Sequence, residues 1–249
     1  MGEPRVHVLM YHSISNASGP TSIPAATFRM QLEGLAEAGY RVINVDEFVA
    51  WKTGGPALPA RSALITFDDG FADFANAAFP ILREHGFPAV VFIPTGRIGG
   101  TDNWESLEAP RALMDWGQVS ELAAAGVEFG GHGVSHTNLT TLSGEALTRE
   151  IVHCGEIIGE RLGRPAKSFA APFGATNRAV RAEIARHYGA AFGVRLGRAG
   201  LRDDLYDTPR LEMHYFRDAP RWRDMLQGRG ETYFALRRGL RAVRERLGR

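Results

Sequence analysis

Two carboxylates stand side by side in the segment 64–71, whose sequence is LITFDDGF. The apolar residues at its start predict a buried β-strand, so Asp68 and Asp69 follow directly at the end of that strand, ahead of a turn at Gly70. Adjacent carboxylates repel each other, and both lose hydration when they are buried. This arrangement therefore requires a compensating positive charge nearby.

Two histidines in the segment 130–139, GGHGVSHTNL, indicate what that charge is. His132 and His136 are four residues apart and follow another predicted strand, so both rings can face one point. Two imidazoles and one carboxylate suit zinc or a similar divalent ion and leave room for water. Beside such an ion, one aspartate can bind the metal while its neighbour holds or deprotonates a water molecule.

A third segment, FAAPFGATN at 169–177, also follows a predicted strand. Pro172 and Gly174 make a rigid turn there before a predicted helix. A turn of this kind can present backbone N–H groups to an oxyanion that develops during a reaction.

Strand-like and helix-like segments alternate along the chain. The strands are continuous apolar runs, which are typical of parallel strands covered on both faces. The pattern predicts a parallel barrel or a doubly wound sheet, with the site at the carboxyl ends of the strands. Strands are predicted at 6–11, 41–44, 62–67, 88–94, 126–131, 167–171, 189–194 and 208–213, helices at 27–38, 46–52, 72–85, 116–125, 143–163, 176–187 and 231–247, and a long Gly-rich loop on the active side at 95–115.

Composition narrows the class of protein. A chain of 249 residues suits one large α/β domain, and a net charge of +1 gives no global field for nucleic acid. The single cysteine, Cys154, excludes an intrachain disulfide and fits a packed small side chain. With no long apolar run and no leader ahead of the first strand, we expect a cytoplasmic protein.

The segment 217–249 differs from the rest because it holds ten arginines against four acids. Four apolar residues, Leu236, Leu240, Val243 and Leu247, share one face of the predicted helix. Two interpretations remain open: a surface helix that packs on the barrel, or a basic amphipathic helix on an anionic membrane surface. Nucleic-acid binding is not expected, because no aromatic platform accompanies the arginines.

The three chemical segments together resemble the polysaccharide deacetylases, the NodB-homology family also called carbohydrate esterase family 4. Residues 66–70, TFDDG, match its first motif, His132 and His136 match its His-Ser/Thr-x-x-His motif, and 170–174, AAPFG, correspond to an Arg-Pro-Pro-Tyr-Gly-like loop. The opening LMYHSIS and the approach DWGQVSELAAAGVEFGGH are also similar to this family. The resemblance spans roughly residues 6–215.

The resemblance implies a distorted barrel of the (β/α)7 type with parallel strands, a single domain over residues 1–216, followed by the basic helical extension 217–249. It also implies hydrolysis of an N-acetyl group on an amino-sugar or glycan, soluble or lipid-linked, through a metal-activated water and a tetrahedral oxyanion. The metal would be Zn²⁺, with Co²⁺, Ni²⁺ or Mn²⁺ as alternatives, held by Asp69, His132 and His136. Asp68 would be the base, and the N–H of Phe173 would stabilise the oxyanion.

The chain departs from the family pattern at two positions. Gly133 stands where a Ser or Thr hydroxyl orders the second histidine, and Ala170 stands where an arginine braces the base. Arg210 could reach in from another strand to replace that arginine. His214 is the candidate general acid, and His12, at the end of the first strand, could line the mouth of the site or act in its place.

Further residues are candidates for substrate contact, because aromatic rings stack on sugars and polar groups orient them. These are Tyr11, His12, Trp104, Pro172 and Arg210, with the ring of Phe173 as another stacking surface. Two alternative functions remain open: a metal-independent amidohydrolase of the same fold, and a non-catalytic glycan-binding module.

Overall fold

The computed structural model describes residues 5–104 and 109–230. Strands and helices alternate along the chain as the sequence pattern predicts. The strands are β1 (Arg5–Tyr11), β2 (Arg41–Val42), β3 (Ser62–Phe67), β4 (Val90–Ile93), β5 (Glu128–Gly131), β6 (Ser168–Ala170), β7 (Ala190–Leu196), β8 (Ala199–Gly200) and β9 (Thr208–Glu212). The helices are α1 (Ala25–Glu37), α2 (Val45–Lys52), α3 (Phe79–His85), α4 (Trp116–Ala124), α5 (Gly144–Thr148), α6 (Cys154–Leu162), α7 (Arg178–His187) and α8 (Ala219–Leu226).

Seven parallel strands of the described chain close into a barrel, in the order β1, β3, β4, β5, β6, β7 and β9, with β9 returning to β1. The two remaining strands are short: β2 adds to the start of β3, and β8 pairs antiparallel with the start of β1. The predicted distorted (β/α)7 barrel is therefore confirmed. All seven carboxyl ends meet at one rim, where sites of parallel barrels are built.

Side chains along each barrel strand alternate between the interior and the surrounding helices. On β3, Leu64 packs in the interior cluster, whereas Ile65 and Phe67 pack in the cluster that holds α1. Phe48 and Trp51 of α2 join the interior cluster. The Lys52 ammonium at the end of α2 donates to the carbonyls of Gly200 and Asp203 at 2.7 and 2.6 Å. β8 borders the start of β1, which marks the amino end of the barrel. Helix α2, bonded to β8 through Lys52, therefore closes this end, and the site lies at the opposite rim.

The helix predicted at 143–163 runs as α5 and α6 joined by one π-helical turn, Arg149–His153. A second π turn, Phe74–Ala78, precedes α3. A π turn inserts an extra residue into a helix and is frequent near functional sites. Cys154 lies at the start of α6 and is buried, as predicted, and burial raises the pKa of its thiol to about 11.

Helix α8 lies within the segment that the sequence assigns to the basic extension. It packs against α1: the ring of Trp222 is buried, and its Nε1–H donates to the carbonyl of Gln31 at 2.9 Å. Residues 219–226 thus belong to the body of the barrel. The helix predicted for 231–247, and with it the membrane contact, falls outside the described residues, and none of the described helices has the length and hydropathy to cross a bilayer.

Candidate metal centre

The two aspartates diverge because the chain reverses directly after β3. Asp68 still follows the strand, and its N–H donates to the carbonyl of Tyr11 on β1 at 2.9 Å. Asp69 takes a left-handed conformation with φ of +72°, which Asp tolerates better than most residues do. One carboxylate therefore continues the strand, while its neighbour turns toward the end of β5.

Asp69 meets both histidines of the 130–139 segment. Its Oδ1 atom lies 3.2 Å from Nε2 of His132 and 3.1 Å from Nε2 of His136. All three residues are buried, and one ligand atom from each lies within 4.8 Å of the others. Nδ1 of His132 lies 2.7 Å from the carbonyl of Ala170, so in the neutral ring the proton belongs on Nδ1, which leaves Nε2 to bind a metal.

The charges at this point also fit a divalent cation. Burial opposes ionisation of Asp69, but hydrogen bonds from His132 and His136 outweigh it and hold the pKa of Asp69 well below its usual range. Burial disfavours the charged form of His132 as well, yet the hydrogen bond with Asp69 and the charges of both aspartates raise its pKa above the usual value. Burial lowers the pKa of His136. One oxygen and two nitrogen ligands around a negative centre suit zinc and related metals.

Asp68 is held by an arginine from β9. Nη1 and Nη2 of Arg210 each lie 2.7 Å from a separate oxygen of Asp68, which is a bidentate pair. The guanidinium is buried, and it also donates to the hydroxyl of Thr66 at 3.0 Å and to the carbonyl of Gly193 at 2.7 Å. Burial alone would raise the pKa of Asp68, but the charge and hydrogen bonds of Arg210 outweigh it and lower that pKa. Asp68 is therefore an ionised carboxylate in a fixed orientation.

The loop after β6 forms the third wall of the site. Pro172–Gly174 make a single 3₁₀ turn, closed by the N–H of Gly174 on Ala171 and that of Ala175 on Pro172. Phe173 has a left-handed conformation with φ of +60°, and 56% of its surface is exposed. Its ring centre lies 4.7 Å from that of His136.

Trp104 lies against one face of the same histidine. Its ring stacks on His136 with the centres 3.9 Å apart and the planes 21° from parallel. Trp104 belongs to the long loop that the sequence places on the active side. The loop thus reaches the metal centre, and aromatic rings border His136 from two directions.

Comparison with known proteins places this geometry in a family. A profile of the polysaccharide deacetylase family matches residues 55–192, which is more than half of the 249-residue chain. The chain belongs to the polysaccharide deacetylase family. The resemblance carried by the TFDDG and His-x-x-x-His segments is thereby confirmed.

Two relatives and one solved structure illustrate the similarity to other polysaccharide deacetylases. YxkH of Bacillus subtilis (strain 168) is 24% identical over 173 residues, covering 70% of this chain and 58% of YxkH. The poly-β-1,6-N-acetyl-D-glucosamine N-deacetylase of Escherichia coli (strain K12) is 31% identical over 118 residues, 45% of this chain and 17% of that protein. The structure of IcaB from Ammonifex degensii has the same fold, with a TM-score of 0.76 at 22% identity, over 89% of this chain and 98% of that one. The chain thus spans less than two thirds of these two relatives.

Within the polysaccharide deacetylase barrel, Tyr11 at the end of β1 and the next residue, His12, lie in different environments. Tyr11 is fully buried on the helix-facing side, where its ring lies 5.2 Å from that of Phe67 and 5.0 Å from that of Phe28. His12 follows on the opposite face and is half-buried at the rim. Since Tyr11 pairs with Phe67 in the β1–β3 register, His12 stands level with Asp68.

His214 lies beyond the end of β9, in the 3₁₀ turn Met213–Phe216. Its N–H donates to Oε1 of Glu212 at 3.2 Å, and its ring centre lies 6.4 Å from that of Tyr215. The hydrogen bonds described for Asp68 join it to Arg210 and to the carbonyl of Tyr11. The structure brings Asp68, Asp69, His132, His136, His12, Arg210, Trp104, Pro172 and Phe173 to one rim and leaves Tyr11 in the core.

The sequence patterns did not identify Glu212, which is a further polar residue of this rim. Glu212 stands two residues after Arg210 on β9, so both share the interior face of the barrel. Burial raises the pKa of Glu212, and the positive charges of His12 and Arg210 act in the opposite direction. Two charged residues at a spacing of two in a buried strand are the signal that could have found it.

Proposed function

We propose that this chain is a metal-dependent hydrolase that removes N-acetyl groups from the amino sugars of a glycan. One observation carries the proposal: Asp69, His132 and His136 converge directly beside Asp68, which Arg210 holds as an ionised carboxylate. Membership of the polysaccharide deacetylase family supports the reaction class. The name of the Escherichia coli relative favours a polymer of N-acetylglucosamine as the substrate.

Asp69, His132 and His136 would hold the metal, and Zn²⁺ is the ion that we propose, with Co²⁺, Ni²⁺ or Mn²⁺ as alternatives. When bound, the ion supplies positive charge that acidifies water and polarises the amide carbonyl. The ionised state of Asp69 and the Nδ1 hydrogen bond of His132 both favour this ligand set.

The remaining steps belong to the side chains around that ion. Asp68 takes the proton of the attacking water, and Arg210 keeps the carboxylate aimed at it. The new C–O bond makes a tetrahedral oxyanion, toward which the N–H of Phe173 donates. Breakage of the C–N bond then releases acetate, and the sugar nitrogen takes up a proton to leave as an amine.

We further propose that His12, rather than His214, gives this proton to the leaving nitrogen. His12 is level with Asp68 at the rim. Burial raises the pKa of both Asp68 and Asp69, and a positive charge on His12 acts against burial at each of them, together with the stronger partners already described. His214 lies beyond the end of β9, in the Met213–Phe216 turn, where its N–H donates to Glu212.

Acetate release from oligomers of N-acetylglucosamine by the zinc-loaded protein tests the proposal. We expect chelation to abolish release and zinc to restore it, while Asp68→Asn keeps one equivalent of zinc but loses turnover. Metal retention that is lost in His132→Ala/His136→Ala would establish the ligands without any assumption about substrate. Undiminished release after chelation would favour the metal-independent amidohydrolase, and glycan binding without acetate release would favour the binding module.

A further inference from the structure

The short turn between the two histidine ligands has an unusual backbone. Gly133 and His136 both adopt left-handed conformations, with φ of +76° and +57°. The N–H groups of the intervening residues, Val134 and Ser135, point to the same side of the chain. Successive N–H groups arranged in this way form a concavity that binds an anion.

The anion in this concavity is the side chain of Glu150. Its Oε2 atom accepts from the N–H of Val134 at 2.8 Å and from the N–H of Ser135 at 2.9 Å. Its Oε1 atom accepts from the hydroxyl of Ser135 at 2.7 Å. Glu150 is buried and comes from the π turn between α5 and α6, so the helix packed beside β5 reaches the turn between the two histidines.

The carbonyl groups of the same turn are fixed from the opposite side, by the loop after β4. The carbonyls of Gly133, Val134 and Ser135 accept hydrogen bonds of 2.8 to 3.1 Å from the N–H of Thr95, the N–H of Gly96 and Nε of Arg97. The turn is therefore held through both its donors and its acceptors, and Glu150 accepts from the donors of Val134 and Ser135.

Because Gly133 has no side chain, it leaves room for the carboxylate of Glu150. A Cβ atom built on Gly133 would lie 3.0 Å from Oε2 of Glu150, closer than such atoms normally approach. The carboxylate thus occupies the space that a Ser or Thr side chain at position 133 would need. Gly133, which departs from the family motif, is therefore matched by the carboxylate of Glu150 from the π turn between α5 and α6.

We propose that Glu150 is a positioning residue of the metal centre, whose hydrogen bonds to Val134 and Ser135 aim His132 and His136 at Asp69. The proposal rests on the metal site of the proposed function. Glu150 contacts none of the three ligands through the bonds described, so it acts through the turn. Hydrogen-bond acceptance, rather than charge, is the property that matters.

Three variants of the full chain test this role. Glu150→Leu removes the acceptor, and Glu150→Gln keeps an oxygen for both N–H groups and can donate its amide to the Ser135 hydroxyl. Glu145→Leu is the matched control, because Glu145 is an exposed carboxylate on the same helix. The measurements are the zinc dissociation constant, by competition with a chelator, and amide hydrogen exchange at Val134 and Ser135 in the metal-free protein.

We expect Glu150→Leu to weaken zinc binding by about 10- to 100-fold, the range typical for residues that orient metal ligands. Exchange at the two amides should become at least about tenfold faster, since each loses its acceptor. Glu150→Gln and Glu145→Leu should stay within about threefold of the parent in both measurements. Should Glu150→Leu fail to fold, Ser135→Ala removes one of the three bonds and should weaken zinc binding several-fold.

Parent-like zinc binding and exchange in Glu150→Leu would overturn the proposal. Equal losses in Glu150→Gln and Glu150→Leu would also overturn it, because they would make charge the operative property. The exchange measurement needs no metal. If the parent protein bound no zinc, the metal site itself would fail while exchange still reported whether Glu150 fixes the turn.

Discussion

At the scale of single residues, Asp68 and Asp69 are adjacent and have the same side chain, but their neighbours give them different environments. Asp68 faces a buried guanidinium that keeps its charge and its orientation, and Asp69 faces two imidazoles. The left-handed conformation of Asp69 separates the two carboxylates so that each meets its own partner. The chemistry of the pair is therefore a property of what surrounds it.

The bidentate pair predicts that Arg210→Lys lowers kcat by about 100-fold or more while zinc affinity stays within about threefold. Lysine is a point charge that cannot bond both oxygens of Asp68 in the fixed geometry of a guanidinium. Steady-state kinetics and zinc competition check this, with the exposed Arg229→Lys as the control. Unchanged kcat in the Arg210 variant would contradict the positioning of Asp68 by this residue.

The two histidine candidates for the general acid predict different phenotypes. We expect His12→Gln to lower kcat by about 100- to 10,000-fold, the usual contribution of a proton donor, and His214→Gln to lower it by less than about fivefold. An activated ester substrate, whose leaving group needs no proton, should restore much of the rate of the His12 variant. The reverse ranking of the two variants would return the role to His214.

At the scale of elements, α8 shows how a segment with a basic composition becomes part of the core. Arginine dominates this part of the sequence, yet Trp222, Met225 and Leu226 lie on one face of α8 and are buried against the barrel. Gly34 of α1 lets the indole approach closely, because a Cβ atom there would lie 2.9 Å from the ring. The hydroxyl of Tyr40 adds a bond of 3.1 Å to the carbonyl of Leu226.

This packing predicts that Trp222→Ala lowers the free energy of unfolding by about 3–5 kcal/mol, as expected when a large buried ring leaves a cavity. The hydrogen bond to Gln31 would be lost as well. Denaturant unfolding measures the change, with Arg223→Ala on the exposed face of the same helix as the control. A change below about 1 kcal/mol would mean that α8 is not part of the cooperative fold.

At the scale of the whole molecule, the layer between the barrel strands and the surrounding helices is buried and mostly apolar, whereas charged residues gather at the rim. His7 of β1 lies on the helix-facing side, near Tyr40, and neither of its ring nitrogens has a partner among the described residues. Burial, with repulsion from Arg198, lowers the pKa of His7 to about 3. The folded protein therefore keeps this ring neutral, whereas the unfolded chain protonates it near its ordinary pKa of about 6.5.

This difference predicts that the stability of the fold falls as the pH drops from about 6.5 toward 3. In that window the unfolded state binds one proton more than the native state, so the free energy of unfolding rises with pH, by up to about 1.4 kcal/mol per unit. His7→Phe should flatten the profile, while the exposed His153→Gln should leave its slope unchanged. Urea unfolding across this range measures both, and an unaltered slope in His7→Phe would contradict the depressed pKa.

The apolar runs of the sequence left a barrel and a doubly wound sheet open, and the family resemblance favoured the barrel. The amino-acid sequence by itself determined the alternation of strands and helices and the candidate metal ligands Asp69, His132 and His136. These features are local: apolar runs define strands, and a carboxylate pair or two histidines at a strand end need only a few neighbouring residues to be recognised. The helix at 143–163 and the described parts of the long loop, 95–104 and 109–115, followed from the same short-range patterns.

Tertiary structure decided which distant groups complete the site. The family comparison made Arg210 a candidate brace for Asp68, but only the fold brings the two together across 142 positions of sequence. Glu150 supports a turn that no local pattern connects to it. Tyr11 and His12 are adjacent, yet one lies in the core and the other at the rim, because the face that each presents depends on how β1 closes the barrel between β3 and β9. Such relations depend on strand order and register, which are set by packing between segments far apart in the chain.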